Sequence, residues 1–165
     1  MKKAHFILLA IPFMFILSGC PVGIAYPLAK PGSEKIDKNL IGTWTQVDTN
    51  KEVMTMQIEK LDEFTLKLTV IAKGSMFVEE VNVFKGWCKE INNQKFAYFQ
   101  DYENFLADYY HYAYKFDGKN LISYDFGLLD GGIDSITSSE SFQAQVKTSM
   151  TKPEFLSSEI IWSKN

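Results

Sequence analysis

The chain has 165 residues, with 17 lysines, no arginine and 20 acids, for a net charge of −3. That length suits one domain with its own core and is too short for two. An acidic balance without a basic cluster excludes a nucleic-acid partner, and the absence of guanidinium removes bidentate clamps for phosphate or carboxylate.

The first element is a leader. Met1-Lys2-Lys3 is positive, Phe6 to Leu17 is apolar, and Ser18 and Gly19 are small. This is the layout of a secretory signal peptide. The apolar run is shorter than the roughly 20 residues that cross a bilayer, and Pro12 interrupts it. Leu17-Ser18-Gly19-Cys20 closes the run and resembles the lipobox of bacterial lipoproteins. The resemblance implies that residues 1–19 are removed. The Cys20 thiol then carries a diacylglyceryl group, and the new amino terminus is acylated. Each buried methylene adds about 0.8 kcal/mol, so two or more chains hold a protein on a membrane. Pro21 stands where Asp would mark inner-membrane retention, so the resemblance implies an outer-membrane anchor facing the periplasm. Loss of Lys2 and Lys3 takes the net charge from −3 to −5.

Residues 20–38 are punctuated by Pro21, Gly23, Pro27, Pro31, Gly32 and Ser33 and show no period. They read as a flexible, lipid-anchored tether. The domain is placed at residues 39–165.

From Thr43 onward the pattern has period two, broken by short turns. Strands are predicted at Thr43–Asp48, Val53–Glu59, Phe64–Ile71, Met76–Trp87, Lys95–Gln100, Tyr109–Phe116 and Leu121–Phe126. Asp117-Gly118-Lys119-Asn120 is the strongest hairpin signal, because glycine supplies the positive φ of a tight turn. Ser138 to Ser141 offers a helix N-cap. Phe142, Val146 and Met150 then fall four apart on one helical face, and Pro153 ends the helix. Glu154–Lys164 is a last strand, with Ile160 and Trp162 on one face and Ile161 on the other. Seven or eight antiparallel strands with one late helix predict an all-β fold, a small up-and-down barrel, with an open sandwich as the alternative.

Gly42-Thr43-Trp44 heads the first strand. A Gly-x-Trp at the start of such a barrel resembles the lipocalin/calycin signature. The late helix before the last strand matches that family too. The resemblance implies that Trp44 closes the barrel base under a late basic side chain. The family's arginine is missing here, and Lys164 is the only lysine on the last strand. It also implies a cup for a small hydrophobic or amphipathic ligand. Trp44, Met54, Met56, Phe96, Tyr98, Tyr110, Tyr112, Tyr114 and Phe116 are the candidate lining. Aromatics and methionines at alternate strand positions usually just fill a core.

Catalytic chemistry is sparse. His111 is the one histidine after the leader, and Cys88 the one cysteine after Cys20. With Cys20 acylated no intramolecular disulfide forms, and one histidine with one thiol is a poor zinc supply. Nothing in the sequence brings Cys88 and His111 together as a nucleophile and base. Asp130-Gly131-Gly132-Ile133-Asp134 lacks the alternating acids of a calcium loop. The expectation is a non-enzymatic binder without cofactor or metal. The alternative is a protein-interaction module with a filled barrel, using loops such as Tyr102–Tyr109.

Overall fold

Alternating segments that expose one row of backbone donors and acceptors satisfy them by pairing with their neighbours. In the computed structural model, which describes residues 23–47, 53–73, 79–128 and 131–165, they do so in full circle. The leader and Cys20 lie outside these residues, as does Asp130. Eight strands follow in order: β1 Gly42–Val47, β2 Val53–Lys60, β3 Leu66–Lys73, β4 Glu79–Ile91, β5 Gln94–Asp101, β6 Tyr110–Asp117, β7 Asn120–Phe126 and β8 Leu156–Lys164. Each pairs antiparallel with the next. β8 returns to β1, with Trp44 opposite Lys164 and Thr45 opposite Ser163, and the barrel closes. The up-and-down barrel is therefore the architecture, and the open sandwich is not.

The turns have local causes. Asn92 and Asn93 adopt φ of 49° and 64° in the two-residue connection between Ile91 and Gln94, and asparagine tolerates that conformation better than most residues. Gly118, at φ 58°, turns β6 into β7. Helix α1, Ser139–Ser149, sits between β7 and β8. Ser138 caps it, accepting from the Ser141 amide at 3.1 Å while its own amide donates to Ser141 Oγ at 3.0 Å.

Two apolar layers result. The barrel interior holds Trp44, Met56, Ile58, Leu66, Leu68, Phe99, Tyr114 and Trp162. The second layer lies outside the wall of β4 to β7, where Phe96, Tyr98, Ala113 and Tyr124 meet Phe142 and Val146 of α1. Both helix residues are fully buried and Met150 packs beside them, as the spacing predicts.

The segment read as a free tether is not free over its described part. Leu28 is fully buried and Ala29 nearly so. Ile24 forms a two-bond antiparallel bridge with Tyr109, at 2.9 and 2.8 Å. Further on, the Tyr98 hydroxyl donates to the Ala29 carbonyl at 3.1 Å. The Ile36 amide then donates to the Glu63 carbonyl at 3.1 Å. Glu34 pairs with Lys89, and Asp37 with Lys95 at 2.6 Å. Residues 24–37 thus form a strap. It runs down the outer wall from the start of β6 to the opposite end, where a 3-10 turn, Lys38–Leu40, leads into β1. The strap escapes a periodicity search because the four-residue spacing of Ile24, Leu28 and Ile36 is broken at Gly32, Ala29 falls out of phase, and Pro27 and Pro31 interrupt the run.

Candidate functional site: the barrel cavity

In antiparallel pairs, residues directly opposite share a face. Tyr112 faces Ala97, which faces Cys88, so all three point inward. The small Ala97 side chain leaves space that the larger residues around it do not fill. The result is an interior cavity of about 590 Å³.

Met54, Met56, Tyr110, Tyr112 and Tyr114 line it. Trp44 and Phe116 belong to the interior cluster without forming the lining; their rings lie 6.1 Å apart. Phe96 and Tyr98 do not line the cavity. They stand opposite Ala113 and His111, on the outer face beneath the strap and α1. Both faces of β5 are apolar, so alternation alone gives no phase. The interior phase of β5 is instead carried by Ala97 and Phe99. Leu68, Val70, Ile160 and Trp162 also line the cavity. Their alternation in β3 and β8 is plain in the sequence.

Exposure changes along the barrel axis. Leu40, Ile58 and Leu121 are 3 %, 2 % and 2 % exposed at the base. Met54 and Asn82, near the first residues of β2 and β4, are exposed. The cavity therefore meets solvent at the end where β2, β4 and β6 begin.

The base is closed by Trp44. Its indole N–H donates to the Leu40 carbonyl at 2.8 Å, and Lys164 Nζ stands 5.0 Å from the ring centroid. Nearby, Asp37 gathers the Lys95 ammonium, the Asn39 amide at 3.0 Å and the Tyr114 hydroxyl at 3.3 Å. Burial opposes its charge, but these partners outweigh that and hold the carboxyl below its ordinary range.

Among the described residues, no charged side chain lines the cavity. Its polar groups are hydroxyls and an amide: Ser123 Oγ accepts from the Trp162 indole at 2.9 Å, and Asn82 lies at the open end. Burial pushes the Tyr112 phenol up to about 12, with Asp125 and Tyr110 adding to the shift. Burial also raises Tyr114, and its phenol stays protonated as a donor to Asp37. These phenols supply hydrogen-bond handles and no base.

Cys88 and His111 are not brought together. Cys88 belongs to the interior cluster, where burial raises its thiol against a weak hydrogen bond from the Asp37 amide at 3.5 Å. His111 lies on the outer face, 5.9 Å from the Tyr98 ring and 4.8 Å from Phe142. The sheet separates them, and no nucleophile–base contact forms. Among the described residues, no three His, Cys, Asp or Glu side chains gather as metal ligands.

Comparison with protein-family models, curated proteins and solved structures finds no match to this chain.

Proposed function

We propose that the protein is a lipid-anchored cell-envelope protein. Cys20 is acylated and fixed in the outer membrane on its periplasmic side, and the barrel binds a small apolar or amphipathic molecule without transforming it. The observation that carries this reading is the open cavity of about 590 Å³, whose described lining carries no charge. That volume falls within the roughly 300–1,000 Å³ of small-molecule sites, which are mostly apolar with a few polar groups for orientation.

The lining also selects. A carboxylate or sulfonate carried into this cavity finds no cation among the described lining residues, and burying an unpaired charge is costly. The favoured ligand is therefore neutral, with an apolar body and one or two hydrogen-bonding groups for Tyr112, Ser123 or Asn82. Two fluorescent probes of similar skeleton test this: neutral N-phenyl-1-naphthylamine and anionic anilinonaphthalene sulfonate. The neutral probe should bind, and the anionic one at least tenfold more weakly. If neither binds, the cup reading fails and the protein-interaction reading takes its place. The anchor is tested apart from the cup. A Cys20→Ser variant should leave the membrane fraction, and persistence there would overturn the anchor.

A further inference from the structure

The two most exposed large hydrophobics among the described residues lie beside the point where the described chain begins. Among the described residues, Phe105 and Leu106 are the most exposed large hydrophobics, at 80 % and 85 %. They form the tip of the loop between β5 and β6. Gly23 packs against the same loop: a Cβ placed there would fall 2.5 Å from Asp108 Cβ. Ile24 is bridged to Tyr109 one residue further on. Only Pro21 and Val22 separate Gly23 from Cys20. At about 3.8 Å per Cα step, Cys20 lies within roughly 11 Å of Gly23. The cavity opens at this same end, beside the first residues of β6.

The loop is also built to hold its tip outward. Asp101 Oδ1 accepts from the amides of Glu103 and Asn104 at 2.9 and 2.8 Å. Asn104 Oδ1 accepts from the Leu106 amide at 3.2 Å. The Gln100 side-chain amide, in a residue 8 % exposed, donates to the carbonyls of Phe105 and Ala107 at 3.1 and 2.8 Å. Much of the loop's backbone is thus satisfied from within. Two apolar side chains held on such a frame can enter an apolar phase without stranding those groups.

We infer that the Phe105–Leu106 tip is a second membrane contact, which seats the barrel mouth against the bilayer that Cys20 is anchored in. This rests on the anchor reading above. Two points favour a bilayer over a protein partner. The strap leaves Cys20 only a short reach, so an acylated chain brings this end of the barrel to the lipid surface. The tip is also apolar, as an interfacial wedge must be. Asp101, Glu103 and Asp108 flank it, so the surface it suits is zwitterionic, not anionic. With the mouth so placed, a neutral apolar ligand passes between bilayer and cavity without crossing bulk water.

The test uses the full chain, processed in a bacterial host, purified and reconstituted in phosphatidylcholine–phosphatidylethanolamine vesicles. Phe105→Trp reports on the tip, and Ile161→Trp, on the outward face of β8 and 51 % exposed, is the control. Trp44, Trp87 and Trp162 are buried and give a constant background. The indole introduced by Phe105→Trp should shift to the blue and lose several-fold more emission to brominated lipid than the control does. It should lose less to aqueous iodide. Equal quenching of the two variants by brominated lipid would overturn the membrane contact and favour a protein partner for the tip. The mass of the N-terminal peptide reads the anchor separately. An unacylated Cys20 with a quenched tip keeps the contact and sinks the anchor, whereas an acylated Cys20 with an unquenched tip does the reverse.

Discussion

Lys164 Nζ stands 5.0 Å from the centroid of the Trp44 ring, and Gly42 is what lets it come there. Gly42 has φ 143°, and a Cβ at that position would fall 2.7 Å from Lys164 Cε. The lysine stem therefore lies over the glycine and delivers its ammonium to the indole. Lys164→Ala should lower stability by about 0.5–1 kcal/mol, the range of an exposed cation–π contact. Gly42→Ala should cost about 1–3 kcal/mol, because backbone strain adds to displacement of the lysine. In a Lys164→Ala background the Gly42→Ala penalty should shrink to the backbone part alone. Urea unfolding of the two single variants and the double variant reads the difference, and strict additivity would show that the stem and the glycine are not coupled.

Ala97 offers the cleanest way to block the cavity. Its side chain points inward opposite Tyr112 and makes no polar contact. Ala97→Leu places extra methylenes in open space, so stability should hold or rise by about 0.5–2 kcal/mol, as for other cavity fillings. Affinity for N-phenyl-1-naphthylamine should fall at least tenfold. Unchanged probe binding in a variant of undiminished stability would place the probe somewhere other than the barrel.

The barrel was largely legible because strands that bury one face write their phase into every second residue. Met54-Met56-Ile58, Leu66-Leu68-Val70 and Tyr110-Tyr112-Tyr114 each give an interior row, and Phe142-Val146-Met150 gives the helix face. Legibility fails where both faces of a strand are buried. In β5, Phe96 and Tyr98 compete with Ala97 and Phe99 for the interior, and only the register with β6 decides. It fails again in the strap, where Gly32 stands in the gap between Leu28 and Ile36 and two prolines interrupt the run, so that three buried positions are too few to mark an element. The cavity is the hardest to foresee. It depends on the small Ala97 side chain being turned inward opposite Tyr112, a register that local sequence does not contain.

The strap makes a prediction that a flexible tether does not. Leu28 is fully buried between the strap and the barrel wall. Leu28→Ala should cost about 2–5 kcal/mol, as for other buried leucines. Tyr98→Phe removes the hydroxyl bonded to Ala29 and should cost about 1 kcal/mol. Thermal unfolding of both variants decides the matter: a Leu28→Ala protein as stable as the parent would return residues 24–37 to the status of a loose linker.

His111 sets the acid limit of the fold. Both of its ring nitrogens are buried, and among the described residues neither makes a well-formed hydrogen bond. Burial drives its pKa from 6.5 down to about 3, with the Tyr109 backbone opposing the shift. The folded state therefore holds a neutral imidazole, while the unfolded chain takes up a proton once pH falls below 6.5. Stability is complete above that value. It declines as pH drops toward 3, by up to ~1.4 kcal/mol per unit. Between pH 7 and 5 ordinary carboxylates remain mostly ionised and Asp37 is held lower still, so the decline in that window belongs to the histidine. At pH 5 the loss should reach ~2 kcal/mol. His111→Phe keeps an aromatic ring against Tyr98 and Phe142 and removes the titrating nitrogens. Its unfolding midpoint in urea should be nearly level from pH 7 to 5 while that of the parent falls; a parallel fall in both proteins would assign the acid sensitivity to another group.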